Sequence, residues 1–386
     1  MPLHRRVFFI GGFDPRSPRH TWRLFRQAAQ AHPASALGEE IVLTAPEASG
    51  SRAEADWQVS GETIARSQFQ IWAWDDIVRQ HWRRTPWRVL RDLWVVYVRA
   101  ASEGLLSQVR RQAPAAFWLS VVPCLMVVGV VLLIVMAGIT LAALQTRISW
   151  LNGPLGASLP WLLALTMGAL AWWRLSVRLD VTWLLRLFGF TWTQSNQQVD
   201  HMDARMSDWA ASVISAASEE HCDEVLIVAH STGGMWAVSV LAQALRQAPW
   251  LGQRGPQLGL LTLGHCMPIL SGLPSAQSFR ADLQLLQAHG ALTWLDVSAP
   301  ADWAAFARVP PWLGEGQARL RQCSPRFHQT LSIPHYQALL ADRHALHMQY
   351  LRAPDVAGGY DPVSWIFGPD TLQKRYADMA PTTPSA

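Results

Sequence analysis

From Ala115 to Leu144 the chain carries no charged residue, and no other feature narrows its possible folds as much. As a helix rising 1.5 Å per residue, this run is longer than the ~30 Å hydrocarbon core of a bilayer. A membrane span is expected here, with Pro123 near its start, where a bend is tolerated, and Gln145, Thr146 and Arg147 closing it. Asn152, Gly153 and Pro154 give a turn signal. Ala157 to Trp173, at the lower length limit for spanning, is expected to return as the second leg of a hairpin. Arg110 and Arg111 precede the pair and Arg174, Arg178 and Arg186 follow it, whereas the connector holds only Arg147. The positive-inside bias then places both ends of the hairpin in the cytoplasm. A pair of buried core helices is the alternative for either segment.

Composition supports a chain partly in lipid. Half of the residues are hydrophobic and 16% are charged, against about a quarter charged in ordinary soluble domains. The 21 tryptophans exceed what a core of this size needs, and Trp favours the boundary between apolar and wet regions. A net charge of +4, with arginines dispersed among tryptophans, argues against nucleic acid as a partner. The four cysteines, at 124, 222, 266 and 323, have no zinc-ligand spacing and read as free thiols in a reducing compartment. No metal or other cofactor is expected. Val7 to Ile10 is too short for the apolar part of a signal peptide.

Val7 to Ile10, closed by Gly11 and Gly12, reads as a buried strand ending in a tight turn. Arg19 to Ala31 follows with helical spacing and Glu40 to Thr44 reads as a second strand, the alternation of a parallel α/β sheet. Phe69 to Val78 mixes strand and helix signals and is expected to pass from one to the other. Trp87 to Leu106 has arginines at 88, 91 and 99 among Leu90, Trp94, Val95 and Val98, as a basic amphipathic helix approaching a bilayer would. Leu179 to Trp192 is apolar around Arg186 and is expected to lie along the interface. Gln197 to Ser218 reads as a polar-to-amphipathic helix. The expected organisation is residues 1–109 and 196–378 forming one α/β domain, 110–195 forming the membrane hairpin with its interfacial segment, and 379–386 a disordered tail.

Asp223 to Val228 is a strand by composition and Gly233 to Gln247 a helix, so Ser231 falls in the sharp turn between them. A serine hydroxyl needs such a setting, because the turn exposes it to a base and aims the next N–H, that of Thr232, at a developing oxyanion. Ala229 and Gly233 are small enough to let the turn close. The plain alternative is an ordinary strand-to-helix turn.

Ala229-His230-Ser231-Thr232-Gly233-Gly234 resembles the Ala-His-Ser-x-Gly-Gly elbow of some bacterial lipases in the α/β-hydrolase superfamily, with Ala in place of the first Gly of the common Gly-x-Ser-x-Gly form. The resemblance implies a mainly parallel hydrolase sheet, here interrupted by the transmembrane hairpin, and a serine esterase with a Ser-His-Asp mechanism. It also implies that the N–H of Phe13, in Gly11-Gly12-Phe13-Asp14-Pro15-Arg16, pairs with that of Thr232 as the oxyanion hole. The acid is expected after the next-but-one strand. Leu258 to Leu263 and Ala291 to Val297 read as those strands, so Asp302 fills the acid's place, with Asp296 as competitor inside the strand. For the base, His328, His335, His344 and His347 all lie late enough. His347 is chosen because Asp342 to Leu351, together with Gly358 to Asp361, resembles the C-terminal block of uncharacterised bacterial hydrolases. His344 is the next candidate, while His230 and His265 are expected to line the pocket. The catalytic set is therefore Ser231, Asp302 and His347, with a bilayer and a lipid or acyl (thio)ester substrate as partners. The rival readings are a catalytically inactive hydrolase-fold membrane scaffold and an acyltransferase.

Overall fold

The structure is a computed structural model that describes the chain apart from residues 1–2, 32–41, 45–46, 49–53, 61–64, 83–84, 113, 148–153, 180, 313–319 and 380–386. The Asn152-Gly153 turn, the start of the Glu40 strand and nearly all of the 379–386 tail lie outside the described residues.

The long apolar runs become the middle of a sheet. Strands β1 (His4–Ile10), β5 (Arg66–Trp72), β6 (Glu224–His230), β7 (Gln257–Leu263), β8 (Leu292–Val297) and β9 (Leu320–Cys323) are all parallel, in the order β5-β1-β6-β7-β8-β9. Parallel strands are covered on both faces and so read as unbroken apolar stretches; every residue of β6 is buried. Alternate residues feed opposite faces. Phe8, Ile10, Val225, Ile227 and Ala229 enter one core, and Val7, Phe9, Leu226 and Val228 the other. Helices α8 (Met202–Ala217), α9 (Gly233–Gln247) and α10 (Gln277–Ala288) cover the first face, and α1 (Pro18–Ala31) covers the second, with the helix at Pro362–Phe367.

At the β5 edge the sheet departs from the simple alternation. The second strand read from the sequence is the two-residue β2 (Val42–Leu43), and it pairs antiparallel with β4 (Glu54–Ser60), as does β3 (Glu47–Ala48). β4 runs antiparallel to β5. Polar residues hide this edge from a search for apolar runs. Phe69 to Val78 divides as expected, into β5 and a short helix, α2 (Asp75–His81).

Between β5 and β6 the chain leaves the sheet. Helix α3 (Pro86–Trp94) continues through a π turn at Val95–Arg99 and, after Gly104, into α4 (Leu105–Gln112). The long α5 (Pro114–Gln145) contains Pro123 and is followed by α6 (Pro154–Leu179). The two pack side by side, Gly138 against Trp161 and Gly168 against Ile134. Among the described residues one helix, Ala116–Gln145, is long and apolar enough to cross a membrane, and 22% of its most apolar window is buried. Helix α7 (Val181–Ser195), the segment expected to lie along an interface, packs one side into the molecule. It buries Leu185, Leu187 and Phe190, and it also buries Arg186, which donates to the Trp82 carbonyl.

Candidate active site

Ser231 closes β6 at the carboxyl end of the parallel sheet and opens α9, with φ at +58°. A non-glycine residue held there costs of order 1–3 kcal/mol and persists only where its surroundings enforce it. Two glycines allow the enforcement. A Cβ on Gly233 would meet the Ile10 carbonyl oxygen at 2.4 Å, and one on Gly12 would meet the Ser231 Cβ at 2.8 Å. The turns after β1 and β6 therefore touch through bare backbone, and the Ser231 N–H donates to the Leu263 carbonyl at 2.9 Å.

The expected acid and base meet. His347 Nδ1 lies 2.7 Å from Asp302 Oδ2, and both side chains are buried. Asp302 also accepts from the Tyr350 hydroxyl at 3.1 Å and from the Ala304 N–H at 3.0 Å. A carboxylate facing Nδ1 favours the Nδ1–H tautomer, which leaves Nε2 as the acceptor nitrogen. His347 Nε2 is buried and has no hydrogen-bond partner among the described residues. His347, Ser231, Gly11, Gly12 and Phe13 line one cleft of about 260 Å³.

The other candidates separate from this group. Asp296 sits inside β8 and accepts from Thr262 and Ser298. The nearest imidazole to it is the sealed His265, at 3.5 Å, and neither of the two lines the cleft. Burial raises the Asp296 carboxyl and lowers His265, so this pair belongs to the interior of the sheet. His335 pairs with Asp355 at 2.9 Å, and His328 stands against Tyr336. His344 does line the cleft, with its ring edge-on to Trp183.

His230 lines the cleft as expected, its ring tilted against that of His347 with centroids 4.8 Å apart. Burial, and then the neighbouring His347, push it down to about 3. It is neutral at physiological pH and can donate Nε2–H to the His347 carbonyl 3.0 Å away.

The two expected oxyanion donors are the N–H groups of Phe13 and Thr232. Neither donates to an acceptor among the described residues. Thr232 precedes the first turn of α9, where backbone N–H groups lack intrahelical partners.

Sequence reasoning missed two residues here. Tyr350 braces Asp302 and also accepts from the Ala299 N–H; its spacing of one helical turn after His347 was the available signal. Cys266 lies beside Ser231, and burial pushes its thiol up to about 12 despite the Ser231 hydroxyl next to it. It is thus a neutral neighbour of the serine, and nothing in its local sequence marks it out. Among the described residues no three His, Cys, Asp or Glu side chains converge to hold a metal ion. No protein-family model matches the chain, and no curated protein or solved structure is significantly similar to it.

Proposed function

We propose that the chain is a membrane-anchored serine hydrolase of the α/β-hydrolase type that cleaves carboxylic ester or thioester bonds. The observation that carries this reading is the buried Asp302–His347 pair, whose unpartnered Nε2 shares a cleft with a serine held at positive φ between strand and helix.

In this reading Ser231 Oγ attacks the acyl carbonyl as His347 Nε2 takes its proton. The N–H groups of Phe13 and Thr232 receive the oxyanion, and collapse expels the alcohol or thiol, which regains the proton from His347. Water then repeats the sequence on the acyl-serine. Asp302 keeps the imidazole in its tautomer and stabilises the imidazolium. Ser231 Oγ has to come within hydrogen-bond reach of Nε2 for this, a contact that commonly tightens only when substrate binds.

The membrane reading extends from the long α5 to a hairpin of α5 and α6 with both ends cytoplasmic, supported by the arginines at 110, 111, 174 and 178. Further support comes from α3, whose Trp87, Leu90 and Trp94, with Val98 beyond them, are exposed along one side beside Arg88 and Arg91. The cleft opens nearby, lined by Trp82 and Trp183. An enzyme seated this way takes acyl chains from the adjoining leaflet, so a lipid or long-chain acyl ester is the favoured substrate class. Equal turnover of short soluble esters in detergent would count against that class.

A fluorophosphonate probe tests the chemistry. Wild-type protein is expected to label, Ser231→Ala to remain unlabelled, and His347→Ala to label far more slowly. Absence of serine-dependent labelling in folded protein would instead favour a membrane scaffold.

A further inference from the structure

The loop that offers the Phe13 N–H is short, and its carbonyls are all held. The Gly11 carbonyl accepts from the Trp74 indole at 2.9 Å. The Gly12 carbonyl accepts from the Asp14 N–H at 2.8 Å. The Phe13 carbonyl accepts from the Trp183 indole at 3.3 Å. A peptide unit joins one residue's carbonyl to the next residue's N–H in a single plane, so these bonds form a chain. The Trp183 N–H meets the Phe13 carbonyl, and the N–H of that same peptide, on Asp14, meets the Gly12 carbonyl. The N–H of the Gly12–Phe13 peptide, on Phe13, is then the free end of the chain.

We propose that Trp183 is a positioning residue that sets the direction and polarity of the Phe13 N–H, an inference that rests on the serine-hydrolase reading. Consecutive hydrogen bonds polarise one another, so a donor at the Phe13 carbonyl strengthens the N–H of the adjacent peptide plane. It also resists rotation of the Gly12–Phe13 plane, which would turn a carbonyl toward Ser231 where an anion has to be received. Trp74 fixes the preceding plane, so the Gly12–Phe13 plane is bracketed on both sides.

Trp183 is placed for this role by α7. Phe190, two turns further along the same face of that helix, packs against Phe13 and Trp74. The Trp183 ring also meets His344, on the short helix Arg343–His347 that ends in the proposed base. One side chain thus contacts both the loop of the oxyanion donor and the helix of the base, from a helix that directly follows the membrane segment.

The test uses full-length protein in detergent, with Trp183→Phe to keep a ring and remove the N–H, and Trp183→His to restore a ring donor. Amide exchange of residues 11–17 is measured beside ester hydrolysis on a p-nitrophenyl acyl ester. In Trp183→Phe the Asp14 amide is expected to exchange at least several-fold faster while β6 and β7 keep their protection. Its kcat is expected to fall about tenfold with KM within twofold, a fraction of the 10²–10³ that follows loss of an oxyanion donor itself. Trp183→His is expected to recover part of kcat. Unchanged Asp14 exchange, or faster exchange with unchanged kcat, would overturn the proposal. If wild-type protein neither labels at Ser231 nor turns over ester, the hydrolase reading fails with the catalytic half of the inference, and the exchange result alone decides whether Trp183 holds the loop.

Discussion

The central strands and helix α5 are both apolar, yet they meet their surroundings in opposite ways. Ile227, Val228 and Leu260 have no exposed surface, whereas Val131, Leu132, Met136 and Ile139 on α5 are each more than half exposed. The two regions also treat charge differently. The sheet seals ionisable groups inside, in pairs: Arg5 with Glu224 at 2.5 Å, and His347 with Asp302. Helix α5 holds no Asp, Glu, Lys, Arg or His. Apolar character alone therefore does not say what solvent a segment expects; the handling of charge does, because a protein interior can supply a partner and hydrocarbon cannot.

The sharpest way to break this contrast is to place the same charge in both. Ile227→Asp puts an unpaired carboxylate in the sealed sheet and is expected to abolish the cooperative thermal transition, a cost above about 4 kcal/mol. Leu132→Asp is expected to leave that transition in place while lowering membrane integration by about 2.5–3.5 kcal/mol. Equal loss of folding in both variants would erase the distinction.

The sealed pairs come next. Asp302→Asn keeps the shape but changes the tautomer preference of His347, so kcat is expected to fall by about 10⁴, read by ester hydrolysis at matched folded concentration. Glu224→Gln leaves Arg5 charged and buried without its counter-ion. A loss of about 3–5 kcal/mol is expected in denaturant unfolding, moderated by the carbonyls of Ile366, Gly368 and Asp370 that Arg5 also reaches.

Acid sensitivity is the smallest effect when counted per unit of pH. Burial holds His230 down at about 3 and lowers His265 as well. The unfolded chain then binds more protons than the folded one between the unfolded value near 6.5 and the folded value. Stability is present above about pH 6.5 and is lost as pH falls, by about 1.4 kcal/mol per unit for each group well inside that window. Melting temperature against pH is expected to show this slope, and His230→Asn to reduce it. The helical signal of α5, with nothing in that range to titrate, is expected to persist.

Much of the fold was legible because buried parallel strands and a helix long and apolar enough to cross a membrane both write long apolar runs, so the places of β1, β6, β7, β8, α5 and α9 could be read directly. The edge strands β3 and β4 were obscured by their polar residues, and β9 (Leu320–Cys323) carries too little apolar pattern to stand out. The packing of helix α7 was not legible, because its apolar residues and isolated Arg186 do not reveal the Trp82 carbonyl that receives the arginine. At the site, Ser231 followed from the strand-to-helix change, and Asp302 from the resemblance, which implies an acid after β8. His347 could be preferred over three other histidines only through a resemblance, since pairing with Asp302 depends on how the loop after β8 folds back. Trp183 was beyond reach, because its partner lies 170 residues away.

The position of β1 in the sheet carries a consequence for synthesis. It lies between β5 and β6, pairing Arg5 with Glu224 across the strands, so one of its neighbours is translated before the long helices α5 and α6 and the other after them. At 5 to 20 residues per second, β1 waits on the order of ten seconds with one ladder of backbone groups unsatisfied, the condition under which sheet edges recruit foreign strands. Helix α5 is made first and the sheet closes second. The nascent N-terminal part is therefore expected to need a chaperone during the interval, and slowing translation between β5 and β6 is expected to send the chain to aggregation before Ser231 has been made.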